Sequence, residues 1–173
     1  MREIFFTAAG RDVGRLTMES APVLQRLLDR CGDYYRLAQG EPASPDEALK
    51  EMSDWPADLA ANALCLGIAG EAGELAGMIG VLRHHRRPNQ WYLGTMLLDP
   101  ARRGQGFGRS VYDAFEAWVA SEGGNSIVLA VVESNVRAAR FWESVGFGCP
   151  RCYPERAMGK RRHVLIEYEK DIG

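Results

Sequence analysis

One stretch near the middle of the chain, "LLDPARRGQGFGRSVYDAF" from Leu97 to Phe115, restricts the possible folds more than any other. An apolar run ends at Asp99-Pro100 and a basic pair follows. Gly104, Gly106 and Gly108 then alternate with Gln105 and Phe107 ahead of an amphipathic pattern. This reads as strand, glycine-rich turn and helix. Glycine has no Cβ and reaches backbone conformations that aim several N–H groups at one point. At a helix start those donors are unpaired, and the helix dipole adds partial positive charge. Such a turn suits a pyrophosphate, and Arg102, Arg103 and Arg109 flank it with further positive charge. The other reading is a tight turn that holds no ligand.

The spacing narrows the ligand. A dinucleotide fold needs G-x-G-x-x-G after its first strand and an acidic residue further on. Here the spacing is G-x-G-x-G, and three or more strands come first. The phosphate-loop pattern G-x-x-x-x-G-K-S/T is absent. A protein that binds NAD or ATP therefore fits poorly.

The surrounding chain alternates helices and strands. Residues 14–18 read as a short strand. Residues 21–37 keep helical spacing through Val23, Leu24, Leu27, Leu28, Tyr34 and Tyr35, with Pro22 suited to the first turn. A second helix starts near Ser44. Residues 62–70, 74–84 and 91–99 read as three strands, the first two joined by "GEAG". Helix 108–121, strand 127–132 and helix 135–145 follow, then strands near 147–153 and 163–169. The order implies an α/β or α+β layered domain.

With 173 residues, 46% of them hydrophobic and 25% charged, the chain suits one globular domain with a sizeable core. Its 21 basic and 23 acidic residues leave a net charge of -2, which gives no electrostatic reason to expect nucleic acid or a membrane as partner. No apolar run is long enough to span a bilayer, and the opening "MREIFFTAAGRDVG" lacks a leader pattern. The expectation is a cytoplasmic protein, monomer or homodimer. Cys31, Cys65, Cys149 and Cys152 are then expected as free thiols. "CPRC" at 149–152 has metal-knuckle spacing but no second pair, so no metal is expected.

At this point two motifs carry a family resemblance. "RGQGFG" at 103–108 resembles the Q/R-x-x-G-x-G/A loop of the GNAT superfamily of N-acetyltransferases, and "VVESNVRAARFWESVGF" at 131–147 resembles its second motif. The resemblance implies a GNAT-like mixed, mostly antiparallel central sheet, split between two parallel strands and flanked by helices. Residues 1–173 form one such domain, with substrate-side helices over about 20–52 and a cofactor-binding core over about 62–147. It implies acetyl-CoA as co-substrate, its pyrophosphate on Arg103, Gly104, Gln105, Gly106, Phe107, Gly108 and Arg109. Its pantetheine arm would lie along Met96, Leu97 and Leu98, with Asn135 on the far side and Phe141 and Trp142 near the thiol.

Two departures bear on catalysis. Many family members carry Tyr where Trp142 stands, and indole has no proton acidic enough to replace it; Tyr112 and Tyr153 are alternative acids by chemistry. Several members also keep a Glu within the strand at 91–99, and this chain has none there. Glu133 is the nearest acidic residue to the expected split and the candidate base. His84 and His85 follow the previous strand and suit a surface loop. Tyr34, Tyr35, Trp55, Trp91 and Tyr92 are candidates for an acceptor pocket, Tyr34, Tyr35 and Trp91 foremost, and Asp33 and Glu41 for holding an ammonium. The expected function is transfer of acetyl from acetyl-CoA to a primary amine, small or peptidic; the alternative is a non-catalytic acyl-CoA-binding module.

Overall fold

The computed structural model describes residues 3–173, so Met1 and Arg2 of the opening stretch lie outside it. The strands are β1 (Ile4–Ala8), β2 (Arg11–Arg15), β3 (Ala63–Ala69), β4 (Leu75–Leu82), β5 (Gln90–Leu98), β6 (Ser126–Val132), β7 (Gly148–Met158) and β8 (Arg161–Asp171). They form one sheet in the order β1-β2-β3-β4-β5-β6-β8-β7. Every neighbouring pair is antiparallel except β5 with β6. This is the mixed, mostly antiparallel layered fold that the sequence implies.

The sheet separates two apolar layers. Helices α4 (Phe107–Ser121) and α5 (Val136–Ser144) cover one face through Val111, Phe115, Trp118 and Trp142. Helices α1 (Ala21–Arg30), α2 (Gly32–Ala38) and α3 (Glu47–Ser53) cover the other through Leu24, Leu27, Leu28, Tyr35 and Ala48. Both α1 and α5 are amphipathic by spacing, so each buries one stripe and leaves the opposite face to water.

The decisive irregularity is in β5. Val81 of β4 faces Leu93 while Gly80 faces Thr95, so Gly94 is an extra residue, a β-bulge. A bulge bends its strand and reverses the alternation of side chains. Before it Trp91 and Leu93 point toward α4; after it Met96 and Leu98 do, and Leu97 faces the α1 layer. The parallel pairing stops there too, its last partners being Leu93 and Leu129. Beyond that point β6 keeps pairing with β8 up to Val132, opposite Leu165, and the two parallel strands part.

Four expectations are corrected. The N-terminal strand is Arg11–Arg15, not 14–18, and it pairs with β1, which the sequence did not reveal; Ala9 and Gly10 both take positive φ in the hairpin turn between them. The helix expected over 21–37 is two, broken at Cys31 and Gly32, the least favourable helix residue there. Helix α3 begins at Glu47, later than Ser44. Strands β7 and β8 are longer than expected, closing as a hairpin at Gly159 with φ 58°. No helix among the described residues is long and apolar enough to cross a membrane.

Candidate functional site

The glycine turn is built for close approach. Gly104 and Gly106 have φ +81° and +79°, and a Cβ on either would meet no atom within 4 Å. Gly106 caps α4, whose first internal bond runs from Ser110 N–H to the Gly106 carbonyl at 3.0 Å. No backbone N–H from Gly104 to Arg109 has an acceptor among the described residues. Gly108 instead serves packing, since a Cβ there would come within 3.2 Å of Leu98 and 3.6 Å of Phe141. Gln105 is exposed, and Phe107 packs into the layer under α4; neither lines the cleft that the turn borders.

That cleft, of about 640 Å³, lies where β5 and β6 part. One wall is Gly94–Leu98, which includes Met96, Leu97 and Leu98; the other is Ala130–Val132. Arg103, Gly104, Gly106, Gly108 and Arg109 edge one end, and Asn135, Phe141 and Trp142 line the side formed by α5. The Asn135 side chain caps α5 by accepting the Ala138 N–H at 3.2 Å. The Trp142 ring packs against Tyr112 and Phe147, with centroids 5.6 and 5.5 Å away, and its remaining edge borders the cleft. It is both core and wall.

The flanking arginines are tied down, which the sequence could not show. Arg102 pairs with Glu71 at 3.0 Å. Arg103 pairs with Asp33 and donates to the Leu98 carbonyl at 3.0 Å, a carbonyl that Cys31 Sγ also reaches at 3.5 Å. Arg109 donates to the Ser144 carbonyl at 3.0 Å and lies 3.5 Å from Asp113. These contacts hold the loop against α2 and α5. Arg137, which no motif marked, borders the cleft, and no carboxylate among the described residues pairs with it.

The opposite end is walled by Tyr34, Leu37, Tyr92, Arg156, Met158 and Leu165, and Asp33, beside Tyr34 on α2, lines the cleft while paired with Arg103. Of the aromatics expected there, Tyr34 is present; burial first and the nearby Glu51 second push its phenol up to about 12. Tyr35 is not: it is buried in the α1 layer and its hydroxyl donates to Glu51 at 3.3 Å. Trp91 is not either: it packs edge-on against Trp118, 5.1 Å away, under α4. Its neighbour Tyr92, also expected there, does line the cleft, and Trp55 does not. Asp33 and Glu41 are occupied by Arg103 and Lys160.

The acid and base candidates are displaced. Glu133 is exposed and does not line the cleft, its backbone N–H held by the Val164 carbonyl at 3.0 Å. Tyr112 is fully buried with its hydroxyl on Glu116, and the Tyr153 hydroxyl donates to Glu167 at 3.2 Å; neither borders the cleft. His84 Nδ1 accepts the Asn89 N–H in a turn. His85 stacks on Tyr92 at 4.8 Å with both ring nitrogens enclosed, and burial lowers its pKa. Asp33 lines the cleft but is held by Arg103, and Glu51 touches the split only through Thr95. It accepts from the Thr95 hydroxyl at 3.2 Å, and Thr95 lines the cleft beside the bulge. Burial, the largest influence, raises the Glu51 carboxyl above the ordinary range, against the lowering effect of the Thr95 bond. The only sequence signal was a second Glu four residues after Glu47 on a short helix.

Comparison with known proteins agrees with this geometry. An acetyltransferase from Salmonella typhimurium that modifies the N-terminal serine of a 50S ribosomal subunit protein superposes with a TM-score of 0.80. Its identity is 17%, over 99% of this chain and 100% of that one. An acetyltransferase from Thermus thermophilus gives 0.74 at 18% identity, over 97% and 99%. At these identities the likeness speaks for the fold. An uncharacterized protein of Mycobacterium leprae is 34% identical over 153 residues, covering 83% of this chain. The chain spans 40% of the length of that curated relative. Residues 24–147, from the first turn of α1 past the end of α5 and including the glycine turn, match the acetyltransferase (GNAT) family. With the split sheet and the open turn already in place, that match makes the chain a member of the GNAT family of acetyltransferases.

Proposed function

We propose that the chain is an acetyl-CoA-dependent N-acetyltransferase in which a primary amine attacks the bound thioester directly. The observation that carries this reading is the row of free backbone N–H groups from Gly104 to Arg109, opening on the cleft between β5 and β6. Those donors and the α4 terminus suit a pyrophosphate, and the bare Cα atoms of Gly104 and Gly106 leave it room. Arg137 adds a cation that no side chain among the described residues neutralises. The parted strands offer unpaired backbone for the amides of a pantetheine arm, and Phe141 and Trp142 supply an apolar wall beside it.

Bound acetyl-CoA supplies the thioester: its C–S bond breaks as the amine nitrogen forms the new C–N bond, and the thiolate departs to take up a proton. The attacking amine must itself lose a proton. Glu51 is the acceptor, through the Thr95 hydroxyl, which already donates to it at 3.2 Å. Burial raises the Glu51 carboxyl above its ordinary range, which makes the carboxylate a stronger proton acceptor. A carboxylate carried by α3 thus occupies the place of the missing strand Glu, and it supports an enzyme over a non-catalytic module. Incubation of the protein with acetyl-CoA and a panel of primary amines should release free thiol with at least one amine. Saturable binding of acetyl-CoA with no thiol release from any amine would favour the module.

A further inference from the structure

The end of the cleft opposite the glycine turn has an electrostatic character that narrows the acceptor. Among its six walls, Tyr34, Leu37, Tyr92, Arg156, Met158 and Leu165, there is no carboxylate. Arg156 is the one cation, and no ion pair or hydrogen bond from another described residue meets its guanidinium. It lies close enough to Tyr92 to pull that phenol down against the burial that raises it. The phenols of Tyr34 and Tyr92 likewise meet no hydrogen-bond partner among the described residues. Glu51 stands behind Thr95, and the carboxylates nearest this end are already met: Asp33, which lines the cleft beside Tyr34, pairs with Arg103, and Glu167 pairs with Arg86. A site for a polyamine or another multiply cationic acceptor needs carboxylates to meet each ammonium, and this end presents a positive charge instead.

The same end is roofed. The Lys160 N–H at the tip of the β7–β8 hairpin donates to the Gln39 carbonyl at 2.8 Å, and His163 Nε2 meets the Ala38 carbonyl at 2.9 Å. Lys160 Nζ pairs with Glu41 at 2.7 Å. A Cβ on Gly159 would come within 2.7 Å of the Gln39 carbonyl, so the tip sits directly on the end of α2. A polypeptide cannot lie across a wall closed in this way, while a compact molecule can enter beside it.

Resting on the reading of the site as an acetyl-CoA-dependent N-acetyltransferase, we infer that the acceptor is a small amine that carries an anionic group, an amino acid with an apolar side chain. Its carboxylate pairs with Arg156, its side chain meets Leu37, Met158 and Leu165, and its amine points to Thr95. The transfer forms an amide on that amine, breaks the thioester and releases the thiol; Glu51 takes the ammonium proton.

Calorimetry of acetyl-CoA on the full chain comes first, because failure to bind overturns the parent reading and not this inference alone. Thiol release is then compared for leucine, leucinamide, spermidine and a short peptide with a free N-terminus. Leucine should exceed leucinamide in kcat/KM by about tenfold, the worth of one charge-assisted contact. Arg156→Gln should bring that ratio near one, and Arg156→Lys should restore part of it, with acetyl-CoA affinity held. Equal use of acid and amide, or preference for spermidine or the peptide, overturns the inference. If acetyl-CoA binds but none of the four amines turns over, titration of N-acetylleucine into the CoA-loaded protein decides. Binding that weakens about tenfold in Arg156→Gln supports the assignment, and absence of binding overturns it.

Discussion

Glu51 shows at the scale of one residue how stability and activity pull against each other. Its carboxyl is raised chiefly by burial, so the folded chain binds that proton more tightly than the unfolded chain does. The favourable contribution is complete below the ordinary carboxylate range and is lost as pH climbs through the raised value. Glu51→Gln removes the charge and keeps an acceptor oxygen for one of the two hydroxyls, Tyr35 or Thr95, while its NH2 donates to the oxygen of the other. Thermal melts should show the variant more stable than the parent at neutral pH, with the gap closing by about pH 4, near the unperturbed carboxyl. Turnover should fall by roughly 10²–10⁴-fold, and the acidic limb of the kcat/KM profile should vanish. A variant that is neither more stable at neutral pH nor slower would remove Glu51 from the chemistry. The spacing from Glu47 was its one trace in the sequence, because its partner Thr95 lies 44 positions away and the contact exists only once α3 packs on β5.

At the scale of elements, the bulge at Gly94 decides more of the site than any single side chain. It sends Tyr92 into the cleft and Trp91 into the α4 layer, and it ends the pairing of β5 with β6. From sequence the two aromatics are equivalent neighbours in an apolar strand, and the phase of a buried strand is invisible when both faces are apolar. The α4 and α5 segments were legible because glycine, asparagine and amphipathic spacing mark their ends and faces. The break between α1 and α2 was not, since apolar spacing runs through Gly32 and only packing bends the chain there. Asn135 has a double duty at the start of α5. Asn135→Ala should cost about 1 kcal/mol from the lost cap, read by denaturant titration. It should also weaken acetyl-CoA measurably, because the same residue borders the cleft. Loss of stability with unchanged affinity would leave Asn135 a cap alone.

At the scale of the molecule, the sheet carries two unlike layers and holds between them one cleft with two unlike ends. The glycine end offers backbone N–H groups and the unpaired Arg137; the hairpin end offers phenols, apolar walls and Arg156. The family motifs disclosed the first end because backbone geometry needs glycine at fixed positions. The second end is assembled from α2, β5 and the β7–β8 hairpin, whose side chains meet only through tertiary packing. The central claim is that the glycine turn binds the pyrophosphate of acetyl-CoA through bare backbone. Calorimetric titration of acetyl-CoA into the parent and Gly106→Val tests it most directly. Valine at φ +79° strains the backbone by about 1–2 kcal/mol yet meets no protein atom, so the fold should survive. The parent should bind one acetyl-CoA saturably, and a Gly106→Val protein that still melts cooperatively should lose that binding. Equal acetyl-CoA affinity in the two folded proteins would contradict the claim.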